Sequence, residues 1–235
     1  MASVELLSVH KAYGDLPPVI RDVNLQLADG EFCAFVGPSG SGKSTLLNLI
    51  GCLDHPTSGT LTVNGTDIAT LSRSAAASFR GEHLGFIFQD FNLVPVLSAF
   101  ENIEYPLLMV RGWSPEKRRE RVEKMIAAVD MTEHAHKRPD QLSGGQKQRV
   151  AVARALVGEP RLVLADEPTA NLDSKTGEAI INLMKQMNAE LNTTFVFSTH
   201  DHAIMDIADH VIRLQDGLVV ENVRKSAAAE TAGIS

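Results

Sequence analysis

Phe32-Cys33-Ala34-Phe35-Val36-Gly37-Pro38-Ser39-Gly40-Ser41-Gly42-Lys43-Ser44-Thr45-Leu46-Leu47-Asn48-Leu49-Ile50 decides the fold. An apolar run of strand type, Phe32 to Val36, breaks into a glycine-rich loop, and an apolar helical pattern from Lys43 to Leu53 follows. Gly37 to Thr45 matches G-x-x-x-x-G-K-[ST], the spacing of a phosphate-binding loop. A triphosphate carries several negative charges, so such a loop must offer donors with no side chain in the way. Gly37, Gly40 and Gly42 let the backbone around Pro38, Ser39 and Ser41 curl until successive N–H groups point inward. The helix that starts near Lys43 adds roughly half a positive charge at its N-terminus. Lys43 adds a full one, and a unit-charge pair at about 4 Å and an effective dielectric of about 20 is worth about 4 kcal/mol before desolvation. The Ser44 hydroxyl is a hard oxygen ligand of the kind Mg²⁺ takes, and Thr45 follows it.

Two further apolar runs end the same way. Leu162 to Ala165 leads to Asp166-Glu167, and Thr194 to Ser198 leads to His200-Asp201. Short buried strands alternating with helical patterns predict a parallel sheet with its chemistry at the carboxyl ends of the strands. Asp166, at a strand end, is placed to reach Mg²⁺ through a coordinated water. Glu167 then points toward the γ-phosphate, where it can polarise an attacking water; a base so placed typically contributes about 10²- to 10⁴-fold. His200-Asp201-His202 has a metal-like look, but no matching second ligand cluster accompanies it.

Elsewhere Leu61-Thr62-Val63 runs into Asn64-Gly65, and Asp216-Gly217 sits between Val211–Leu214 and Leu218–Val220, both hairpin signals. With Val4–Leu7 and Val23–Leu27 these predict an antiparallel sheet beside the parallel one. Ser114-Pro115 opens a helix on which Val122, Met125, Ile126 and Val129 repeat at helical spacing. Ile180, Leu183, Met184, Met187 and Leu191 form another such stripe. The expected fold is therefore α/β: a P-loop nucleoside-triphosphatase core with a mainly parallel sheet flanked by helices, an antiparallel β-subdomain and an inserted α-helical subdomain. Residues 1–225 read as one domain, with 1–88 and 160–225 as the core and 89–159 as the helical insertion; 226–235 read as a disordered tail.

Composition narrows the partners. The 235 residues carry 22 basic and 29 acidic side chains, a net charge of −7, with no broad basic tract, so a nucleic-acid partner is not expected. The uncharged stretches Ser44–Leu53 and Phe91–Phe100 are well short of the roughly 20 apolar residues of a spanning helix. Met1 to Val9 has no basic segment leading into an apolar one, so no secretory signal is read there. Cys33 and Cys52, the only cysteines, fit a reducing compartment and read as small buried fillers.

These residues, together with Leu142-Ser143-Gly144-Gly145-Gln146, resemble the nucleotide-binding subunit of ATP-binding-cassette (ABC) transporters over nearly the whole chain, from Val4 to about Val223. Gly37–Thr45 resembles the Walker A motif, Leu162–Glu167 the Walker B and Leu142–Gln146 the signature sequence. The resemblance places Gln89 at the Q-loop, where it would sense the γ-phosphate through Mg²⁺, and Asn171-Leu172-Asp173 at the D-loop. It makes His200 the switch histidine that orients the catalytic water, and Tyr13 the aromatic residue that stacks on adenine. It implies ATP and Mg²⁺, with Ser44, Gln89 and Asp166 around the metal and Glu167, His200 and Gln89 in catalysis. Two copies are then expected to close head to tail on two ATP molecules, each held between one copy's Walker A and the other's Ser143, Gly144, Gly145 and Gln146, with Asp173 near the boundary. The chemistry agrees: residues 143–145 open a helix through Leu156 whose N–H groups and dipole suit a phosphate, and one chain already has its own loop for that purpose. Asn171 stands where many relatives carry a small residue, and Ser198-Thr199 before His200 is a mild variation.

In this family the region after Gln89 receives a short coupling helix of a transmembrane permease subunit. Some of Phe91, Leu93, Val94 and Leu97 are therefore expected to line a groove near Gln89–Leu97. Gly85-Phe86-Ile87-Phe88-Gln89, Asn92-Leu93, Glu101-Asn102-Ile103 and Pro106-Leu107 are similar to the ATPases of lipoprotein-releasing and macrolide-export systems. The resemblance implies a bacterial cassette at the cytoplasmic face of the inner membrane, with a periplasmic adaptor within reach through the permease. A regulatory ATPase that gates a periplasmic cell-wall hydrolase without moving a solute is the alternative. The cargo is not readable here, because the membrane partner selects it. Chromosome-maintenance relatives, with long coiled coils between Walker A and signature, and two-cassette translation factors do not match.

Overall fold

The computed structural model describes residues 2–110, 112–200 and 202–225. In chain order the strands are β1 (Ala2–Lys11), β2 (Ile20–Ala28), β3 (Phe32–Val36), β4 (Ser58–Val63), β5 (Thr66–Asp67), β6 (Leu84–Ile87), β7 (Leu162–Asp166), β8 (Thr194–Thr199), β9 (His210–Gln215) and β10 (Leu218–Arg224). The helices are α1 (Lys43–Ile50), α2 (Arg73–His83), α3 (Ala99–Val110), α4 (Pro115–Ala128), α5 (Gly144–Leu156), α6 (Ser174–Leu191) and α7 (His202–Ile207). The tail 226–235, read as disordered from composition, lies outside the described residues, as does Asp201.

A six-stranded sheet in the order β10-β9-β3-β8-β7-β6 forms the centre, parallel except for β10. Strands β3, β6, β7 and β8 are nearly continuous apolar runs because both their faces are covered. Along β3, Phe32, Ala34 and Val36 face a core shared with α3–α7, while Cys33 and Phe35 face a second core shared with α1 and the antiparallel sheet. The same alternation sends Phe195 and Phe197 to the first core and Val196 to the second. Both cysteines are buried; burial pushes the Cys52 thiol up to about 11 and raises that of Cys33 as well, so neither behaves as a ready nucleophile.

The second sheet, β2-β1-β4-β5, is antiparallel as expected. One expectation is corrected. The Asp216-Gly217 hairpin does form, with positive φ at both residues, but it belongs to the central sheet rather than to the antiparallel one. The apolar alternation of β9 has His210, Ile212 and Leu214 buried, and it pairs in parallel with β3, an arrangement that a local turn signal cannot report. The segment 89–159, expected as a helical insertion, carries α4, with Ser114 capping its first turn through the Lys117 N–H, and α5. It also contains α3, which carries Pro106 inside and was not legible as a helix. Of the α6 stripe, Ile180, Leu183, Met184 and Met187 are buried, whereas Leu191 is exposed.

Glu31, in the turn between β2 and β3, binds the far edge of the sheet. Its carboxylate lies 3.1 Å from His210 Nδ1 and 2.9 Å from Arg224 Nε, and accepts from the Ala28 N–H at 2.8 Å. Burial alone would raise its pKa, but His210, Ala28 and Arg224 together outweigh burial and hold it below the usual 4.5. A carboxyl depressed in the folded state contributes stability that is complete above its unfolded value and vanishes as pH falls through the folded one. Glu31→Gln should therefore lower the melting temperature at neutral pH, and the deficit should shrink below about 4.5. Thermal unfolding from about pH 7 to about pH 3 reads this directly; a deficit constant with pH would contradict it.

Candidate functional site

β3, β7 and β8 end at one level because their ladder pairs Val36 with Thr199 and Asp166 with Ser198. The loop after β3 therefore opens beside Asp166, Glu167 and His200. Gly37 has φ 149°, and a Cβ there would lie 2.1 Å from the Leu214 carbonyl oxygen, so no other residue fits without moving β9. The resulting cavity, about 680 Å³, is lined by Gly37, Pro38, Ser39, Gly40, Gly42, Lys43, Ser44, Thr45, Gln89, Glu167 and His200, with Val19, Ala170 and Ser198. Ser41 is buried beneath it.

The charged groups are already in place. Lys43 Nζ donates to the carbonyl oxygens of Gly37 (2.8 Å) and Pro38 (3.0 Å), so its ammonium is folded back over its own loop. Ser44 Oγ donates to Asp166 Oδ1 at 3.2 Å. This hydroxyl–carboxylate pair at the mouth of a donor-lined cradle is a hard-oxygen set that fits Mg²⁺, which keeps several waters and takes one or two protein oxygens. Glu167 sits at φ 46°, a left-handed backbone for a residue with a side chain, held by its N–H donating to the Ser198 carbonyl at 2.9 Å. Its two carboxylate oxygens lie 3.0 and 3.1 Å from His200 Nδ1. Acid and imidazole thus face the cavity as a pair.

Gln89 is exposed at the end of β6, and its loop is tied twice. Asn171 Nδ2 donates to the Gln89 carbonyl (3.1 Å) and to Asp90 Oδ1 (2.9 Å). Phe91 and Asn92 both have positive φ, and their carbonyls accept from the Arg154 guanidinium on α5. Neither tie is legible in the sequence: Asn171 reads only as a D-loop residue larger than usual, and Arg154 carries no signal. Buried Asn102 pins the next stretch, its Nδ2 donating to the carbonyls of Val94, Leu97 and Ser98 and its Oδ1 accepting from the Val94 N–H.

The signature residues are elsewhere. Ser143 caps α5, accepting from the Gln146 N–H at 3.3 Å, while Gln146 Oε1 accepts from the Ser143 N–H at 2.9 Å. None of Ser143, Gly144, Gly145 and Gln146 lines the cavity of the glycine-rich loop. A Cβ on Gly145 would lie 2.5 Å from Thr176 Cγ2, so the start of α5 lies hard against the start of α6. Asp173 caps α6 through the Thr176 N–H (3.0 Å) and lines a separate cavity of about 480 Å³ with Glu167 and His200. Tyr13 also stands outside the phosphate cavity's lining.

A groove of about 390 Å³ runs between α2, β6, α3 and α5, lined by Arg80, Phe86, Phe88, Asn92, Pro106 and Val110 among others. Of the segment expected there, Asn92 reaches it, whereas Leu93 packs on the larger core.

A family profile described as ABC transporter matches residues 20–170. The chain belongs to the ABC transporter family. It is 46% identical, over 93% of its length and 92% of the other's, to the lipoprotein-releasing system ATP-binding protein LolD of Anaeromyxobacter dehalogenans. It is 42% identical over 93% of its length to the macrolide export ATP-binding/permease protein MacB of Syntrophobacter fumaroxidans, of which it spans 31%. A dimeric structure of the ATP-binding cassette MJ0796 in a post-hydrolysis state, bound to ADP and Pi, superposes with TM-score 0.85 at 44% identity, covering 94% of this chain and 98% of that one. As a cassette of this family the chain is an ATPase that uses ATP and Mg²⁺. Among the described residues no helix is long and apolar enough to cross a membrane.

Lys43→Ala removes the one ammonium in the cradle and should weaken ATP binding at least about tenfold, measured calorimetrically. Unchanged affinity would show that the phosphates sit elsewhere.

Proposed function

We propose that this cassette drives a membrane permease of the lipoprotein-releasing or macrolide-export type from the cytoplasmic face of the inner membrane, working as a head-to-tail homodimer. The observation that carries the dimer is the separation of two anion-binding elements. The loop at Gly37–Thr45 has its own cavity, and the capped N-terminus of α5 at Ser143–Gln146 takes no part in it. A second copy placed head to tail would bring its α5 start to the γ-phosphate, so that ATP joins the copies and hydrolysis removes the charge that joined them.

Within each site Lys43 would leave the Gly37 and Pro38 carbonyls for the β- and γ-phosphates. Ser44 and, through a water, Asp166 would hold Mg²⁺, with Gln89 completing the set. The metal supplies neutralisation of charge on the phosphate oxygens. Glu167 would accept the proton of the attacking water, and His200, already against that carboxylate, would orient it and bind the γ-phosphate. Asp173 and the signature residues would close the boundary. Tyr13 would stack on the base.

The helical insertion, 89–159, would act as the transmitting lobe on a core formed by 1–88 and 160–225. The Gln89 loop is tied to α5 by Arg154 and to the segment before α6 by Asn171, which supports this reading. The permease would dock in the groove at Phe86, Phe88, Pro106 and Val110, beside the exposed Leu108 and Met109. The share of relatives that carry a fused permease supports the same partner. A periplasmic adaptor would be reached through it.

Glu167→Gln should hydrolyse ATP at least about 10²-fold more slowly and accumulate as a dimer with ATP in size-exclusion chromatography. Adding Ser143→Arg should return it to a monomer that still binds one ATP; a persisting dimer would place the boundary elsewhere. Met109→Glu with Val110→Asp should abolish co-purification with the permease from membranes while ATP affinity stays at the wild-type value, and retention of the permease would remove this groove as its seat.

A further inference from the structure

Tyr13 follows the end of β1, outside the phosphate cavity, yet it is held on two sides. Its hydroxyl donates to Asp54 Oδ2 at 2.9 Å. Lys11 Nζ stands 4.6 Å from the centroid of the Tyr13 ring. That ammonium is itself fixed: it donates to Asp54 Oδ1 at 2.6 Å and to the His55 carbonyl at 2.9 Å, and the Lys11 side chain is only 10% exposed. Asp54 Oδ1 also accepts from the His55 N–H at 2.7 Å. The aromatic ring is therefore gripped at its hydroxyl and covered on one face, while Tyr13 as a whole remains 44% exposed.

We propose that Asp54 and Lys11 are positioning residues of the nucleotide site, which hold the Tyr13 ring so that its uncovered face is presented to the adenine of ATP. The proposal rests on the reading of Tyr13 as the base-stacking residue. A free tyrosine must be immobilised when a base stacks on it, and that ordering opposes binding. Here the cost is met on folding, by the hydrogen bond to Asp54 and a cation over the ring. The hydroxyl has to donate and the carboxylate to accept, and the environment keeps both in those forms. Burial, with Asp54 beside it, raises the Tyr13 pKa. For Asp54 burial acts upward too, but the bonds from Lys11, His55 and Tyr13 outweigh it and hold the carboxyl below its usual range.

Calorimetric titration of the whole chain with Mg-ATP and with Mg-tripolyphosphate, which has no base, tests this. Asp54→Ala, Lys11→Met and Tyr13→Phe should each weaken ATP about three- to tenfold and leave tripolyphosphate unchanged, the range expected for one hydrogen bond or cation–π contact. In a Tyr13→Ala background, Asp54→Ala should add no further loss of ATP affinity, because Asp54 acts through Tyr13. If Tyr13→Ala selectively weakens ATP but the three other variants keep the wild-type ratio of the two affinities, the positioning role is overturned and the stacking role stands. An Asp54→Ala effect that persists undiminished in the Tyr13→Ala background overturns it equally. If Tyr13→Ala leaves the ratio unchanged, the stacking reading falls and takes the proposal with it. Should Asp54→Ala damage tripolyphosphate binding too, Tyr13→Phe decides, since it removes the hydroxyl alone.

Discussion

The register of three buried parallel strands is the constraint on which the rest depends. β3, β7 and β8 are covered on both faces, and a slip of one residue in any of them would turn phenylalanines and leucines to the wrong core. The locked ladder sets Val36, Asp166 and Ser198–Thr199 side by side, so the loop after β3 opens against the carboxylates after β7 and the imidazole after β8. Polar groups that cannot be buried are thus delivered to one rim by apolar residues that must be.

From that rim the structure extends outward by backbone and side-chain ties rather than by more core. The Gln89 loop leaves β6, and its carbonyls are taken by Asn171 before α6 and Arg154 of α5. α5 begins at Ser143 and ends beside the groove between α2, β6 and α3. The Gln89 loop, the segment before α6 and helix α5 beside the groove are thus joined by the same few hydrogen bonds. Arg154 is half-buried, and its guanidinium donates to both carbonyls, of Phe91 and of Asn92.

The sequence was most legible where a local pattern had a single physical meaning. The glycine spacing of residues 37–42, the Asp166-Glu167 pair at the end of an apolar run and the helix start at residues 143–145 each declared their local structure. Asn64-Gly65 and Asp216-Gly217 declared turns, and the structure has both with positive φ. Legibility failed where the partner is remote. The Asp216-Gly217 turn says that a hairpin forms but not which sheet receives it; parallel pairing of β9 with β3 settled that. Helix α3 was hidden because Pro106 interrupts its pattern, and its buried side, with Ile103 and Leu107, has meaning only against α4 and α5. The groove was expected from Phe91–Leu97, yet its apolar walls come mainly from Phe86, Phe88, Pro106 and Val110, which lie far apart in the chain.

Residue order alone thus determined the groups on offer: a glycine-rich loop with its lysine, a carboxylate pair that follows a strand, and where helices begin. Those outcomes need only neighbours within a few positions, because glycine φ preferences, caps and strand alternation are local. Tertiary structure alone decided which of those groups meet. It set Glu167 against His200, folded Lys43 over its own loop, closed Asp54 and Lys11 around Tyr13, and kept the start of α5 away from the phosphate cavity. Each of these contacts joins separate elements, and only burial of both faces of the central sheet brings those elements into a single arrangement.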